Sequence, residues 1–169
     1  SAVCDPAKIM PKDGQDAVEG LRKNIQEKTD NQVEFAVALV DKIDPSMLGV
    51  FTNIDEATET FARGLHDKWG VGDSETHNGI LLFISTNDRT VFISIGSGVQ
   101  SHLSDVAIDF IIDSAKPAMR KGEWALVFSS FAFDIGKKFD SSERLLDIPG
   151  IEDFQAKRRE HYSRLRGDS

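Results

Sequence analysis

The sequence predicts an α/β fold, a three-layer α/β/α sandwich around a small mixed β-sheet. The first observation is a run of five apolar residues at 80–84, which is too short for a helix and is typical of a strand buried on both faces. A polar turn at 85–89 and a second apolar run at 91–95 follow, and so short a connection predicts an antiparallel hairpin. Segments with helical periodicity lie on both sides of this hairpin, which predicts helices that cover the sheet.

The segments ahead of the hairpin predict a βαβ unit. They are, in order, an irregular lead-in (1–12), a helix (13 to about 29, with Ala17, Val18, Leu21 and Ile25 on one stripe), a first strand (33–40), a long loop (41–53) and a helix that ends at Gly70-Val71-Gly72. A strand, a helix and a strand in this order predict parallel pairing with a right-handed crossover.

The segments after the hairpin are predominantly helical. A helix that begins near Leu103 contains Pro117, which is expected to kink or end it, and a last packing helix follows Gly122 and ends near Phe139. Trp69 and Trp124 occupy helical positions and are expected to anchor the core. The expected organisation is a lead-in (1–12), one domain (13–139), and a charged linker with a basic C-terminal helix that buries little (140–169).

The composition excludes several classes of protein. A net charge of −8 argues against a nucleic-acid-binding surface. The single cysteine, Cys4, excludes an internal disulfide and any Cys-x-x-Cys metal or redox motif. No apolar run reaches the roughly 20 residues of a membrane-spanning helix, and no signal-peptide core is present. A longer, anchored precursor is compatible with the same sequence.

Acidic residues are expected to meet at one edge of the sheet, which we call the acidic edge. The carboxyl ends of the two parallel strands share this edge, where open α/β sheets favour ligands. Asp41 and Asp44 follow the first strand, Asp55 begins the next helix, and Asp88 lies in the hairpin turn. Their oxygens are the ligands that Ca²⁺ and Mg²⁺ prefer. The alternative is that these residues only solvate loops, cap a helix and form a turn.

The acidic edge also suggests a chemistry. Arg89 and a helix N-terminus next to bound metal can accept a phosphate group. This arrangement predicts metal-assisted hydrolysis of phosphate esters, with Asp88 as metal ligand or base and Arg89 as the group that holds the phosphate.

The opposite edge, which we call the glycine edge, gathers residues 70–78 and 96–99. Gly70 and Gly72 follow a helix, so helix capping is favoured over a phosphate-binding loop, which would follow a strand. Gly96 and Gly98 indicate a close approach of the backbone or a positive φ. We expect a further ligand or partner face here, formed by Asn78, Gly96, Ser97 and Gly98.

Four segments resemble the TPM domain family. They are FARGLHDKWGVG at 61–72, NGILL at 78–82, DR at 88–89 and IGSGV at 95–99, and the resemblance covers roughly residues 15–138. The family's Asn-Gly pair falls on Asn78-Gly79 and its Asp-Arg pair on Asp88-Arg89. Ser97 replaces the usual aromatic residue between two glycines, and Glu123-Trp124 replaces the usual Asp-Tyr.

The resemblance implies a fold and several functions. The family includes thylakoid-lumen acid phosphatases, photosystem II repair proteins and a nematode modulator of the levamisole receptor. It implies an α/β/α sandwich in an exported, membrane-associated protein, on the thylakoid-lumen or secretory and extracellular side. Family members have been linked to weak acid-phosphatase activity, to calcium binding and to the assembly or function of a membrane complex.

We therefore expect a monomeric accessory domain that binds a membrane-protein complex or receptor, with Ca²⁺ at the acidic edge and no organic cofactor. The alternative is a weak metal-dependent acid phosphatase that hydrolyses phosphate monoesters at Asp41, Asp44, Asp88 and Arg89. A purely structural domain is a third hypothesis. The basic residues at 157–159, with Arg164 and Arg166, form either a solvated helix or a contact with an anionic membrane surface.

Overall fold

The computed structural model describes residues 2–44, 46, 53–140 and 143–165, and the side chains up to residue 161. Much of the predicted loop at 41–53, the side chain of Arg164, and Arg166 lie outside this description. The described residues form five α-helices and a four-stranded mixed sheet, so the predicted α/β class is confirmed. The chain divides into two compact units, which we call the sheet unit (Ser1–Pro11 and Val33–Gln100) and the helical unit (Lys12–Gln32 and Ser101–Ser169).

The sheet unit contains the predicted βαβ unit and hairpin. Its strands are β1 (Val3–Cys4), β2 (Glu34–Val40), β3 (Gly79–Ser85) and β4 (Thr90–Ile95), in that spatial order. β2 and β3 are parallel, as predicted, and β3 and β4 are antiparallel. α2 (Ile54–Trp69) connects β2 to β3. The lead-in is not wholly irregular, because Val3 and Cys4 pair in parallel with Val37 and Ala38.

One face of the sheet packs against α2. Ala36 and Ala38 of β2, with Leu81 and Phe83 of β3, contact the apolar side of the helix, where the Phe61 ring lies 5.5 Å from that of Phe83. The two alanines leave room for the bulky side chains of β3 and α2, as close packing requires. All seven residues of β3 are buried, which confirms the prediction of a strand covered on both faces.

The prediction that Trp69 anchors the core is wrong. Its side chain is 40% exposed, and the last buried residue of α2 is His66. The reason is local, because Trp69 is the final residue of the helix and Gly70, at φ 61°, turns the chain away in the left-handed conformation. Trp124, the first residue of α4, is half-buried.

The helical unit is organised around α4 (Trp124–Gly136), which contacts α1 (Lys12–Lys28), α3 (Asp105–Arg120) and α5 (Ile151–Leu165). Nine of the thirteen residues of α4 are buried, as in a helix that is apolar around its whole circumference. On α1, Val18 and Ile25 are buried as predicted, but Ala17 is exposed. α3 does not end at Pro117 and continues to Arg120.

The segment after α4 is more than a linker. Residues Arg144–Asp147 form a 3₁₀ helix in which Leu145 is buried, and Ile148 beyond it is also buried. α5 buries Ile151, Phe154 and His161, so the prediction that it buries little is wrong. The His161 Nε2 lies 2.9 Å from the Glu123 Oε2, at the position where the sequence departs from the family pattern.

Part of the basic charge of α5 is used inside the helical unit. The Arg158 guanidinium donates to both oxygens of Asp134, at 2.7 and 3.2 Å, and lies over the rings of Phe133 and Phe154. Burial raises the pKa of the Asp134 carboxyl, against the opposing effect of Arg158. Lys157 lies 3.2 Å from Asp153.

Contact with a membrane surface through this helix stays a prediction. None of the described helices is long and apolar enough to cross a membrane.

Candidate functional site

The carboxyl ends of β2 and β3 lie at the same edge of the sheet, as predicted. The parallel register pairs Val40 with Ser85, so the chain leaves β2 and β3 at the same end of the sheet. Beyond the strands, the Thr86 amide donates to the Val40 carbonyl and the Asn87 amide to the Asp41 carbonyl, both at 2.9 Å. The segment after β2 and the hairpin turn are therefore held side by side.

Asp88 connects these two segments. Its Oδ2 accepts a hydrogen bond from the Ile43 amide and another from the Ser85 hydroxyl, each at 2.7 Å. Ile43 is fully buried in the core of the sheet unit. The Asp88 carboxylate thus holds the backbone in place where the Ile43 side chain enters the core. This is a structural role for Asp88 that does not depend on any ligand.

Replacing Asp88 by alanine is expected to lower the free energy of unfolding by about 2–3 kcal/mol, because a buried amide and a buried hydroxyl lose an ionised acceptor. Chemical denaturation followed by circular dichroism measures this. Asp44→Ala is the control, since the hydrogen bonds described for the Asp44 carboxylate come from Ser46, two residues along the chain, with the amide at 3.0 Å. Equal stability of the Asp88 variant and the wild type would contradict the structural role.

The other predicted acidic residues act locally. The Asp41 Oδ1 accepts from the Asn87 side-chain amide, and the Ser46 amide and hydroxyl hold the pKa of Asp44 below its ordinary value. Asp55 is exposed in the first turn of α2, which Asn53 caps by accepting from the Glu56 amide at 2.8 Å. Arg89 is exposed in a left-handed conformation (φ 53°). Among the described residues, no three His, Cys, Asp or Glu side chains are placed to hold a metal ion. The Ca²⁺ site at the acidic edge stays a prediction.

The glycine edge contains a cavity of about 450 Å³ within the sheet unit. Its wall comes from the last turns of α2, the loop between α2 and β3, and the end of β4, including Arg63, His66, Asp73, Ser94, Gly96 and Ser97. Several lining residues, such as Asp73 and Ser97, are exposed, so the mouth of the cavity lies at the protein surface.

The glycines of this edge allow two backbone segments to touch. A Cβ on Gly96 would lie 2.3 Å from the His77 carbonyl oxygen, and one on Gly98 would lie 1.7 Å from that of Thr76. The Gly96 amide donates to the Gly79 carbonyl at 2.8 Å, and the Gly98 amide to the His77 carbonyl at 2.9 Å. Close approach, and not a positive φ, therefore explains these glycines. Capping of α2 by Gly70 is confirmed.

Asn78 also supports the loop. Its side chain is buried, and its Oδ1 accepts from the Asp73 amide at 2.8 Å. The Asp73 Oδ1 in turn accepts from the amides of Glu75 and Thr76, which keep the pKa of Asp73 below its ordinary value. Of the four residues predicted to form a ligand or partner face, Gly96 and Ser97 line the cavity, whereas Asn78 and Gly98 are accounted for by the packing of the loop.

A buried pair, His66 and Ser94, was not predicted from the sequence. The His66 Nδ1 lies 2.8 Å from the Ser94 Oγ, and the residues are 9% and 2% exposed. Burial lowers the pKa of His66, although Asp67 and the carbonyls of Val71 and Ser94 oppose this effect. The sequence contains one indication of this pair, because His66 lies four residues after Ala62 and therefore on the buried stripe of α2. Its partner becomes visible only when the packing of α2 on β4 is known.

A family model described as the TPM domain matches residues 3–137, which is most of the chain. The chain belongs to the TPM domain family. The resemblance noted in the sequence is thereby confirmed, and the 3₁₀ helix and α5 lie beyond the residues matched to the TPM domain. A comparison with curated proteins finds no match.

Three solved structures are similar to this TPM domain. The N-terminal domain of a P. gingivalis protein is 27% identical with a TM-score of 0.63, covering 83% of each chain. The N-terminal domain of the cg2496 protein from Corynebacterium glutamicum is 15% identical with a TM-score of 0.61, covering 85% of this chain and 82% of its own. The BA42 protein from Bizionia argentinensis is 15% identical with a TM-score of 0.63, covering 80% of this chain and 84% of its own. These likenesses support the fold.

Proposed function

We propose that this TPM domain is an accessory domain that binds a membrane-protein partner, and that its contact surface includes Val106 and Phe110 of α3. The two side chains are 79% and 72% exposed. They lie one helical turn apart and are therefore neighbours on the helix surface. An adjacent pair of large apolar side chains that is exposed to this extent supports a contact surface for another protein.

The rest of α3 supports the same proposal. Ile111, Ala115 and Ala118 form its buried side, so the helix already has an apolar face in contact with its own unit. Val106 and Phe110 add a second apolar surface that this packing does not use. Burying one such side chain contributes roughly 1.5–3 kcal/mol, which gives a partner a substantial gain from covering both.

The cellular setting belongs to the proposal as well. We place the domain on the exported side of a membrane, in the thylakoid lumen or on the secretory and extracellular side, as a monomer bound to a membrane complex or receptor. The family resemblance supports this setting.

A Ca²⁺ ion at the acidic edge is also proposed, supported by the carboxylates of Asp41, Asp44 and Asp88 that share this edge. Calorimetric titration tests the ion, and absence of heat at millimolar Ca²⁺ would remove it.

Binding to native membranes of the source organism tests the partner. The double variant Val106→Ser/Phe110→Ser is expected to bind at least tenfold more weakly than the wild type. A tenfold change in affinity corresponds to about 1.4 kcal/mol, which is less than the contribution expected from burying the two side chains. Leu146→Ser is the matched control, since Leu146 is another exposed apolar residue (46%) of the helical unit. Protease treatment of the membranes is expected to abolish binding. Unchanged binding of the double variant, or binding that survives the protease, would overturn the proposal.

A weak metal-dependent acid phosphatase is the second candidate. The observation in its favour is that Asp88 contacts the segment after β2 through the Ile43 amide, with Arg89 exposed beside it. Turnover of an aryl phosphate is compared between the wild type and Asp88→Asn, with thermal unfolding as the control for folding. Equal turnover would end the assignment of Asp88 to catalysis.

A further inference from the structure

The cavity at the glycine edge contains a serine–histidine pair that neither proposed function uses. Ser94 lies on β4 and His66 in the last turns of α2, and these elements pack together within the sheet unit. The 2.8 Å contact between the Ser94 Oγ and the His66 Nδ1 is within the range at which a base activates a hydroxyl nucleophile. Both residues line the cavity.

The pair is held in place by the surrounding backbone. The Gly98 amide donates to the His77 carbonyl, which fixes the loop in the cavity wall to the segment after β4. The Gly96 amide donates to the Gly79 carbonyl, which joins that segment to β3. A nucleophile and a base on two packed elements lose little entropy when they react, which favours catalysis. Burial lowers the pKa of His66, so the ring stays neutral and able to accept a proton to lower pH than an exposed histidine.

The charges around the cavity indicate the class of substrate. The carboxylates of Asp67 and Asp73 line it, and Arg63 is the only Arg or Lys among the described residues of its wall. The Arg63 guanidinium lies over the Phe92 ring at 5.1 Å and 3.8 Å from the Glu59 carboxylate. A phosphate or carboxylate ligand would face this excess of negative charge. A small uncharged ester would not, and a volume of about 450 Å³ is sufficient for it.

We propose that Ser94 is a nucleophile, activated by His66, that takes the acyl group of a small uncharged ester. The Ser94 Oγ forms a bond to the ester carbonyl carbon while its proton passes to the His66 Nδ1. The bond from that carbon to the alkoxy oxygen then breaks, and the departing oxygen takes the proton from His66 to leave as an alcohol. Water repeats the sequence on the acyl-serine, which releases the acid and restores both residues.

A fluorophosphonate probe tests the nucleophile directly, since attack by a serine hydroxyl expels fluoride and leaves a stable adduct. Mass spectrometry of the wild type is expected to locate one adduct, on Ser94. Ser94→Ala is expected to lose the adduct. Ser101→Ala, which removes an exposed hydroxyl 3.3 Å from the His102 Nδ1 and outside this cavity, is expected to keep it. His66→Gln is expected to slow labelling at least 100-fold, in line with the loss of a general base.

Two further readouts separate chemistry from structure. As the pH is lowered, the labelling rate is expected to remain constant through pH 6.5, the ordinary pKa of histidine, and to begin to fall only at lower pH. A lowered pKa of His66 requires this behaviour. Thermal unfolding checks that the Ser94→Ala and His66→Gln variants are folded. The proposal is overturned if the folded wild type is not labelled, if the adduct lies elsewhere, or if His66→Gln reacts as fast as the wild type. These outcomes leave partner binding through α3 unaffected.

Discussion

Replacing Phe83 by alanine is expected to lower the free energy of unfolding by about 3–5 kcal/mol, the range for loss of a buried aromatic side chain. Phe83 is fully buried at the centre of β3, and its ring packs against that of Phe61 on α2. The cavity left by the ring lies between a strand and a helix that are both fixed by their neighbours, so little relaxation is expected. Denaturation in guanidinium, followed by far-ultraviolet circular dichroism, measures the change.

Trp69→Ala is the control for Phe83. It removes a larger side chain, but one that is 40% exposed at the end of α2, so a loss of about 1 kcal/mol or less is expected. A loss for Trp69→Ala as large as that for Phe83→Ala would show that the tryptophan anchors the core after all.

Gly98→Ala is expected to destabilise the protein by about 3 kcal/mol or more, beyond the usual cost of overpacking, because the added Cβ meets backbone and not a movable side chain. That Cβ would lie 1.7 Å from the Thr76 carbonyl oxygen and 2.9 Å from that of His77. The two segments must separate, and the hydrogen bond from the Gly98 amide to His77 is lost with them. Thermal unfolding at fixed pH measures the change.

Gly64→Ala makes the same chemical change where space is available. Gly64 lies on α2, and a Cβ there has no atom within 4 Å. Alanine is favoured over glycine in a helix by up to about 1 kcal/mol, so this variant is expected to be more stable than the wild type. Opposite signs for the two variants are the expected result, and a neutral Gly98→Ala would contradict the close approach at the glycine edge.

The sheet could be predicted because its signals are local. The apolar run of β3, the polar turn after it and the periodicity of α2 each lie within a few residues, and together they fix the pairing of β2, β3 and β4. From that pairing the acidic edge followed. The two-residue strand β1 was missed because Val3 and Cys4 are too few to show any periodicity.

The misses elsewhere depend on contacts between distant residues. α5 was expected to bury little because it is rich in charge, yet Phe154 packs against Phe133 and Arg158 pairs with Asp134. The same holds for His66 and Ser94, which are 28 residues apart and meet only through the packing of α2 on β4. No pattern within either segment indicates these partners.

A photo-crosslinking amino acid placed at position 110 tests directly whether the domain binds a protein through Val106 and Phe110, the exposed apolar pair of α3. With native membranes, we predict one saturable crosslink to a membrane protein from position 110, and none from position 146, an exposed apolar position elsewhere in the helical unit. The crosslink is predicted to disappear when unlabelled wild-type domain competes, and to persist when the competitor is the Val106→Ser/Phe110→Ser variant. Absence of a crosslink from position 110, or equal crosslinking from both positions, would contradict the account.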